Sequence, residues 1–289
     1  MTSPSDVTYR QRILKVQLFI QEHLDEDLPL ERLARLAHFS PYHFHRIFRG
    51  MVGESLADYV RRLRLESAAQ ALKHTVRGVT RIALDAGYGT HEAFTRAFRQ
   101  RFGVSPSEYR AGLRGEEHKD EVVTMSDNGK TYEVRVEALP ARRVAFQRWV
   151  GPYDQVGSVF ERLLGWAGSR GLLGPATMVL GICHDDPEVT AADKLRCDCA
   201  VTVGDAFRGE GDIGVQTVEG GDHAILRHRG PYPGLKDAYR WLFGTWLPTS
   251  GREPRDAPPF EVYLNSCNAV KPEELLTDIC LPLQAKSRP

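Results

Sequence analysis

The stretch Phe44-His45-Arg46-Ile47-Phe48-Arg49 decides the fold of the first part of this chain, because it occurs twice. It returns fifty residues later as Phe94-Thr95-Arg96-Ala97-Phe98-Arg99. The register persists beyond it, pairing Gly53 with Gly103, Ser55 with Ser105 and Tyr59 with Tyr109. Two copies of a short basic helix with regularly spaced aromatic residues are typical of tandem helix-turn-helix units. We therefore predict two such units within residues 1–112.

Apolar periodicity and capping residues place the helices of these units. A first amphipathic helix is expected near residues 8–24. Ser40 and Pro41 are typical of a helix start, and Thr90 occupies the matching place in the second unit. The further predicted helices are residues 28–37, 41–51, 56–73, 79–86 and 90–102. The long helix at 56–73 joins the two units.

The phenylalanines of the repeat orient the two short helices. Phe44 and Phe48 are four residues apart, as are Phe94 and Phe98, so each pair shares one helix face, which we predict to be buried. The opposite face then carries arginine, histidine and small polar side chains near the helix start. Reading of base edges in a DNA groove requires such side chains. For each of these residues taken singly, a solvated charged face is the alternative.

Composition sets the outer limits. The chain has 289 residues, 42% of them hydrophobic, which suits about two domains with buried cores. It has no run of about 18 apolar residues and no apolar signal core at its start, so we expect a cytoplasmic protein without a membrane segment. All five cysteines lie in the second half, and we expect reduced thiols.

Charge divides the chain. The formal net charge is zero, but residues 1–112 hold 17 Lys and Arg against 12 Asp and Glu, whereas residues 113–289 hold 21 against 26. Fifteen of the 17 cations are arginine, which suits bidentate contact with phosphate and guanine. The basic first part therefore indicates a polyanion partner, and the acidic second part a different role.

Together these features carry a family resemblance. Residues 8–112 resemble the DNA-binding domain of AraC/XylS-type transcription regulators. The matching positions are Ala34, Ala37, Ser40, Phe44, Arg46-Ile47-Phe48, Gly53, Ser55 and Tyr59, then Ile82-Ala83, Ala86-Gly87-Tyr88, Phe94, Arg96, Phe98, Phe102-Gly103-Val104-Ser105-Pro106 and Tyr109-Arg110. In this family the two reading helices enter successive major grooves of double-stranded DNA.

The resemblance implies roles for individual residues. Base contacts are implied for Tyr42, His45, Arg46, His91, Glu92 and Arg96, and backbone contacts or support for Arg49, Thr95 and Arg99. The family usually has glycine at the position of His38 in the first turn. Because histidine tolerates a positive φ better than most residues, we expect an unusual turn conformation at His38.

A polar segment of mixed charge follows. We predict a linker over residues 113–129, with a turn at Asp127-Asn128-Gly129 and room for a short strand at Glu121–Met125. A second domain is then expected over residues 130–289.

This second domain is duplicated as well. The segment at 144–153 matches the segment at 224–232 about 79 residues later, and both end in Gly-Pro-Tyr. A helix is predicted after each copy, at 156–166 and 235–246, and then strands at 178–184, 196–203, 260–266 and 276–283. Asp198 and Asp278 correspond. Alternation of Glu133, Arg135 and Glu137 with Val134 and Val136 predicts a half-buried strand. The result is an α+β domain of two β-α-β-β repeats with a groove between them.

This pattern resembles the GyrI-like effector-binding domain, which is also the ligand domain of multidrug-responsive regulators. The resemblance covers roughly residues 130–285. Its marks are the paired Gly-Pro-Tyr segments, Trp246-Leu247-Pro248, Phe260-Glu261-Val262-Tyr263 and Glu274-Leu275-Leu276-Thr277-Asp278-Ile279. The family places an acidic residue at the position of Glu261 to bind lipophilic or aromatic cations.

Glu261 is accordingly the strongest site candidate of the second domain. It stands in an apolar strand, where a lone carboxylate costs desolvation free energy unless a cation or hydrogen bonds compensate. The corresponding position of the first copy is about Gly181. Candidates for flat walls and cation–π contacts are Tyr263, Trp149, Tyr153, Trp166, Tyr232, Trp241 and Trp246. The alternatives are a solvated edge-strand glutamate and tryptophans that pack in the core.

The sequence thus predicts a multidomain transcription regulator, with an all-α tandem helix-turn-helix domain followed by an α+β GyrI-like domain. We expect it to bind DNA, a small aromatic or cationic effector and RNA polymerase. No catalytic residue, cofactor or metal is expected. Cys197-x-Cys199 lacks a second ligand pair, and His184-Asp185-Asp186 is typical of a turn.

Two alternatives stay open. Some GyrI-like domains resemble hydrolases of reactive electrophiles, and Glu261 with Tyr263 or Tyr153 has the groups to activate water. In the other alternative, the second domain only contacts partner proteins.

Overall fold

The computed structural model describes residues 4–116 and 132–285 of the chain. The chain divides into two compact units, residues 1–126 and residues 127–289. The predicted turn Asp127-Asn128-Gly129 and the predicted strand Glu121–Met125 lie outside the described residues.

The described part of the first unit consists of helices and turns. The helices are α1 (Pro4–Glu22), α2 (Leu30–Leu36), α3 (Pro41–Val52), α4 (Leu56–His74), α5 (Val79–Asp85), α6 (His91–Phe102) and α7 (Pro106–Glu116). Helices α2 and α3 form the first helix-turn-helix, and α5 and α6 form the second. Helix α7 ends at Glu116, so the predicted linker over residues 113–129 overlaps its last turn.

Helices α3 and α6 begin and end in the same way. The side chain of Ser40 accepts a hydrogen bond from the backbone N–H of His43, and Thr90 accepts one from Ala93. Each helix ends at a glycine with a positive φ, which is +82° at Gly53 and +80° at Gly103. The sequence repeat is therefore a repeat of local structure.

The predicted phenylalanine faces are buried. Phe44 and Phe48 are adjacent on α3, and Phe48 meets the ring of Tyr59 edge to face at 5.4 Å. The second helix-turn-helix repeats this arrangement: Phe94, Phe98 and Tyr109 are in contact, with Phe98 and Tyr109 also 5.4 Å apart. All four phenylalanines are fully buried, which leaves the other faces of α3 and α6 to solvent.

Helix α4 connects the two helix-turn-helix motifs and is buried on several faces. Its carboxylate Glu66 is 4% exposed and pairs with Arg62 at 3.0 Å and with Arg101 of α6 at 3.3 Å. Arg62 also pairs with Glu54 at 2.8 Å. A buried carboxylate needs such partners, and this one fixes α6 against α4.

The turn before α3 has the conformation expected for it. His38 has a φ of +55° and is the one residue other than glycine with a positive φ in the described chain, whereas Gly87 at the equivalent turn has +73°. The two turns share their hydrogen bonds: His38 N–H donates to the carbonyl of Arg35, and Gly87 N–H donates to that of Leu84. His38 therefore reproduces the glycine turn at some cost in backbone strain.

The second unit combines an antiparallel sheet with helices. Its strands are β1 (Val134–Leu139), β2 (Arg142–Val150), β3 (Val179–Cys183), β4 (Arg196–Thr202), β5 (Gly214–Val218), β6 (Gly221–Arg229), β7 (Phe260–Tyr263) and β8 (Leu276–Pro282). Helix α8 (Gly157–Ser169) follows β2. Helix α9 (Leu235–Trp241) follows β6 and continues through a π-helical turn (Leu242–Trp246) into α10 (Leu247–Thr249).

The described strands form one sheet in the order β1-β6-β8-β7-β3-β4-β2-β5. The first half is β2-α8-β3-β4 and the second is β6-α9-β7-β8, so the two predicted β-α-β-β repeats are present. They meet at the pair β3–β7. Strand β1 pairs with β6 of the second half, and β5, which the sequence analysis did not identify, pairs with β2 of the first half.

The strand predicted from the alternation of Val134 and Val136 is present as β1, and Val134 packs against the core, but Val136 does not. Val136 on β1 is 43% exposed, although its alternation with charged residues predicted a half-buried strand. Strand β1 lies at the edge of the sheet and has a single partner, β6. The alternation of apolar and charged residues along β1 therefore predicted a burial of Val136 that the structure does not show.

Both helices pack on the same face of the sheet. Helix α8 buries Val159, Leu163 and Ala167 against residues that include Cys197 and Cys199 of β4. Helix α9 and its continuation bury Ala238 and Leu242 against Leu226 of β6 and Ile279 of β8. Strand register places Cys199, Gly181, Glu261 and Ile279 side by side, so Glu261 projects from the face that the helices cover.

Candidate nucleic-acid interface and small-molecule pocket

The predicted DNA-contacting residues of both recognition helices reach solvent. Tyr42, His45, Arg46 and Arg49 are exposed on α3; His91, Glu92, Arg96 and Arg99 are exposed on α6, where Thr95 is half-buried. Burial of the phenylalanines is the cause, because a helix that buries one face exposes the other. The roles of these nine residues at DNA stay predictions.

Two arginines at equivalent positions differ in their surroundings. The guanidinium of Arg46 lies 4.5 Å from the centre of the Tyr42 ring, a cation–π contact on a ring that is itself 62% exposed. Arg96 has no ion-pair partner among the described residues. Arg46 therefore contacts a neighbouring ring, whereas Arg96 is exposed and has neither an ion pair nor a ring contact among the described residues.

The supporting residues on α6 are partly engaged. Thr95 Oγ1 lies 3.4 Å from His91 Nε2, and Arg99 pairs with Glu108 of α7 at 3.4 Å. Glu108 also closes the start of α7 by accepting a 2.7 Å hydrogen bond from the backbone N–H of Ser105. An exposed pair such as Arg99–Glu108 has little net free energy, so the guanidinium can exchange this carboxylate for a phosphate.

In the second unit, Glu261 is buried on a central strand. Its side chain is 6% exposed, and β7 has β8 on one side and β3 on the other. The solvated edge-strand alternative is therefore wrong. Tyr263 Oη donates a 2.7 Å hydrogen bond to Glu261 Oε2, and the thiol of Cys183 lies 3.9 Å from Oε1.

The surroundings of Glu261 favour its uncharged form. Burial raises the pKa of the carboxyl group, and the hydrogen bond from Tyr263, together with weaker interactions with Tyr239 and Cys183, offsets only part of that rise. Among the described residues, no arginine or lysine pairs with this carboxylate.

Aromatic rings surround the Glu261–Tyr263 pair. Phe160 of α8 meets the Tyr263 ring edge to face at 5.3 Å, and Tyr232 meets it at 5.6 Å. Tyr239 of α9 interacts electrostatically with Glu261, although its buried hydroxyl lacks a hydrogen bond of good geometry in the described structure. We call Glu261, Tyr263, Tyr232, Tyr239, Phe160 and Cys183 the Glu261 pocket.

Sequence reasoning missed Phe160, Tyr239 and Cys183. A signal for the first two was present, because each stands seven residues after the tyrosine of a Gly-Pro-Tyr segment. They are equivalent residues of the two repeats, placed on the first turns of the helix that covers the sheet. Alignment of the repeats beyond the Gly-Pro-Tyr segments would have found them.

The pocket lies at the centre of the internal repeat. Gly181 and Glu261 are paired directly across β3 and β7, and the same offset of 80 residues that relates Asp198 to Asp278 relates Gly181 to Glu261. A Cβ atom at Gly181 would lie 2.7 Å from the Tyr263 hydroxyl oxygen. The absent side chain thus makes room for the hydroxyl that binds Glu261.

The other predicted pocket residues have different described contacts. Trp149 donates through Nε1 to the carbonyl of Pro152 at 3.0 Å, and Tyr153 donates to the carbonyl of Asp185 at 2.8 Å. Trp166 meets Phe207, Trp241 meets Tyr132, and Trp246 packs in the core under α9. Tyr153 also affects the pKa of Tyr239 electrostatically. Their place in effector binding stays a prediction.

The opposite face of the sheet carries two matching ion pairs. Arg148 binds Asp198 through two hydrogen bonds of 2.7 Å, and Arg227 binds Asp278 at 2.7 and 2.8 Å. His184 joins the first pair at 2.7 Å from Asp198. Across the described residues, no group of three or more His, Cys, Asp or Glu side chains is arranged to hold a metal ion. Each ion pair joins two neighbouring strands, β2 to β4 and β6 to β8.

Comparison with known proteins agrees with both halves of this description. Residues 33–112 match the model of a helix-turn-helix domain, and residues 132–284 match that of the GyrI-like small-molecule-binding domain. In the part of the chain that the structure describes, no helix is long and apolar enough to cross a membrane.

Three curated relatives show how the similarity is distributed. The uncharacterized HTH-type transcriptional regulator YbfP of Bacillus subtilis is 38% identical over 37% of this chain and 36% of its own length. The regulatory protein SoxS of Escherichia coli is 35% identical over 37% of this chain and 100% of its own length. The right origin-binding protein of Escherichia coli is 25% identical over 92% of this chain and 96% of its own length.

Proposed function

The chain belongs to the AraC-type DNA-binding transcription regulators with a C-terminal GyrI-like domain, and from this premise we propose how its two units divide the work. The first unit reads DNA through α3 and α6. The second binds a small aromatic cation in the Glu261 pocket. RNA polymerase is the partner through which DNA binding changes transcription.

At DNA, we assign base contacts to the exposed face of each recognition helix. Tyr42, His45 and Arg46 serve the first helix, and His91, Glu92 and Arg96 the second. Arg49, Thr95 and Arg99 contact or support the sugar-phosphate backbone. A guanidinium makes two hydrogen bonds to guanine O6 and N7, so the free Arg96 and the ring-supported Arg46 suit guanine recognition.

The buried carboxyl of Glu261 is the observation that carries the effector proposal. It lies on a central strand among aromatic rings, without a cationic side chain beside it in the described residues. Keeping a carboxyl group in such a place costs free energy in the unliganded protein. A ligand cation between aromatic faces would recover that cost and gain cation–π attraction. A neutral ligand of the same shape would gain only the hydrophobic free energy of burying its apolar surface.

Effector entry requires side chains of the pocket to move. Glu261 is 6% exposed, whereas Tyr232, whose ring meets that of Tyr263 at 5.6 Å, is 37% exposed. A ligand that displaces these rings binds one conformation of the pocket more tightly than the other. Such a difference in affinity is what couples effector binding to a change in regulation.

The experiment that tests this proposal compares two ligands of one shape. We expect Glu261→Gln to weaken binding of 1-methylquinolinium, a flat aromatic cation, by at least tenfold in calorimetry. Binding of neutral 1-methylnaphthalene should change by less than twofold. Equal affinities of both proteins for both compounds would refute a charge-selective pocket.

We further propose that the pocket binds its ligand without converting it. The alternative is a hydrolase in which Glu261 activates water. A general base of that kind works best with a second proton donor or acceptor of matched pKa. The pKa values of Tyr263 and Tyr239 are instead raised far above the ordinary range by burial and by the negative charge of Glu261. Glu261-dependent turnover of an epoxide or other alkylating agent would favour the hydrolase.

A further inference from the structure

Two thiols stand opposite each other beside the Glu261 pocket. Cys183 on β3 and Cys197 on β4 are direct partners in the antiparallel register, so their side chains leave the same face of the sheet. Both thiols are free, and Cys183 is partly exposed while Cys197 is buried. Effector binding as proposed above does not require two neighbouring thiols.

The backbone hydrogen bonds show which kind of pair this is. His184 N–H donates to the carbonyl of Arg196 at 3.1 Å, and Thr202 N–H donates to the carbonyl of Met178 at 3.0 Å. Hydrogen-bonded and non-hydrogen-bonded pairs alternate along an antiparallel ladder. Cys183 and Cys197 are one step from the first of these bonded pairs, so they form a non-hydrogen-bonded pair.

This position brings the two sulfurs together. In a non-hydrogen-bonded pair the Cα atoms are about 4.5 Å apart and the side chains approach most closely. A disulfide spans Cα separations of about 4.4–6.8 Å. The two thiols are close enough for each to affect the pKa of the other.

The neighbouring cysteines do not share this geometry. Cys199 is opposite Gly181, which has no side chain, and it lies two residues from Cys197 on the same strand. Side chains two residues apart on a strand are separated by about 6.5 Å, which is too far for a disulfide. Cys280 lies on β8 and projects from the opposite face of the sheet, and Cys267 is exposed outside the strands.

We propose that Cys183 and Cys197 are a thiol-oxidation site that closes to an intrachain disulfide with hydrogen peroxide. The Cys183 thiolate attacks one peroxide oxygen, the O–O bond breaks, and hydroxide leaves and is protonated to water. Cys197 sulfur then attacks the resulting sulfenic acid, the S–O bond breaks, and a second water leaves. Two thiols lose two electrons to one peroxide, and their two protons end in water.

The surroundings set the rate of each step. The pKa of Cys183 is raised by its interaction with Cys197 and by burial, so the attacking thiolate is scarce and the first step is slow. The second step is fast, because the partner sulfur is already in place. Disulfide formation also removes the thiol hydrogen of Cys183, whose sulfur atom lies 3.9 Å from Glu261 Oε1. Oxidation thereby alters the pocket directly.

Peptide mapping of the oxidised full-length chain tests the proposal. The protein, with Cys267→Ser to prevent links between chains, is treated with hydrogen peroxide, blocked with iodoacetamide and digested with trypsin. Cleavage after Arg170, Lys194, Arg196 and Arg208 separates Cys183 from Cys197. We expect residues 171–194 linked to residues 197–208. The mass should be two hydrogens below the sum of the reduced peptides plus one carbamidomethyl group on Cys199, and dithiothreitol should release the two peptides.

Matched variants identify the second sulfur. The link should persist in Cys199→Ser and disappear in Cys197→Ser. In the protein that retains both cysteines, fragmentation of the linked peptide should place the disulfide at Cys197. The proposal is overturned if the link runs through Cys199, or if it forms only after denaturation. It is also overturned if peroxide yields sulfinic acid at Cys183 and no linked peptide. The outcome is independent of whether any cation binds at Glu261.

Discussion

Gly181 on β3 and Glu261 on β7 lie directly opposite each other where the two halves of the second unit meet. They are equivalent positions of an internal repeat, yet one has a carboxyl group and the other has no side chain. The Tyr263 hydroxyl occupies the space above Gly181 and donates to Glu261 at 2.7 Å. The repeat has thus lost its symmetry at the point where a single ligand would bind.

Gly181→Ala tests that relationship. The new Cβ would lie 2.7 Å from Tyr263 Oη, so the ring must move and its hydrogen bond to Glu261 must weaken. We expect a loss of about 1–3 kcal/mol in the free energy of unfolding, measured by urea denaturation. Gly165→Ala is the control, because a Cβ there meets nothing within 4 Å and lies in helix α8. The relationship is refuted if Gly181→Ala is as stable as the control.

The raised pKa of Glu261 predicts how cation binding depends on pH. Burial raises this pKa above its ordinary value of 4.5, so near that pH the carboxyl is still protonated. A cation needs the carboxylate, and its affinity should therefore rise with pH above 4.5 by up to about tenfold per unit, then level off above the pKa in the folded protein. Glu261→Gln should show a flat profile in calorimetry, whereas an equal slope in both proteins would assign the effect to another group.

The raised pKa of Glu261 also predicts that this group's contribution to folding stability falls as pH rises, whereas cation affinity increases. The folded state holds the Glu261 proton more tightly than the unfolded chain, so this stabilising contribution is complete below pH 4.5 and is lost as pH rises through the folded-state pKa. At pH 8, Glu261→Gln should raise the free energy of unfolding by about 1–2 kcal/mol, since it removes a buried charge. Thermal denaturation at pH 4 and pH 8 measures it. A variant that is less stable at pH 8 would contradict this account of the carboxyl.

The turn before α3 predicts a stabilising substitution. His38 has a φ of +55°, which a residue with a Cβ adopts at a cost and glycine does not. We expect His38→Gly to raise the free energy of unfolding of the chain by about 0.5–1 kcal/mol. Gly87→Ala is the reverse experiment: its φ is +73°, and a Cβ would meet the Arg64 guanidinium at 2.7 Å. Gly87→Ala should therefore lower the free energy of unfolding. A His38→Gly variant that is no more stable than the original protein would show that strain at His38 is negligible.

Much of this architecture follows from local patterns. The helix-turn-helix units were predicted because caps, glycine ends and phenylalanine spacing are encoded within each short helix. The second repeat was predicted because Gly-Pro-Tyr marks the same turn twice. Both are properties of neighbouring residues, and a single sequence contains them.

What the sequence analysis missed depends on contacts between distant segments. Strand β5 has five residues, and its place is set by pairing with β2, far from it in the chain. The exposure of Val136 depends on the edge position of β1, which alternation does not encode. The pocket depends on register: Glu261 and Cys183 come together only because β3 and β7 are neighbours. The four tryptophans were predicted as walls of the effector site because they are large and flat, but their described contacts are with residues outside the Glu261 pocket.

DNA selection with arginine variants tests the central claim most directly. If α3 and α6 read successive major grooves, Arg46→Ala and Arg96→Ala should relax base preference at two separate positions, about 10 base pairs apart, each at a cost of about 1–3 kcal/mol. Arg81→Ala is the control, because this 71% exposed arginine pairs with Asp85 outside both recognition helices. Selected sequences in which each variant loses preference at its own position would support the account. Uniform weakening on every sequence by both variants, or preferences unchanged from the original protein, would contradict it.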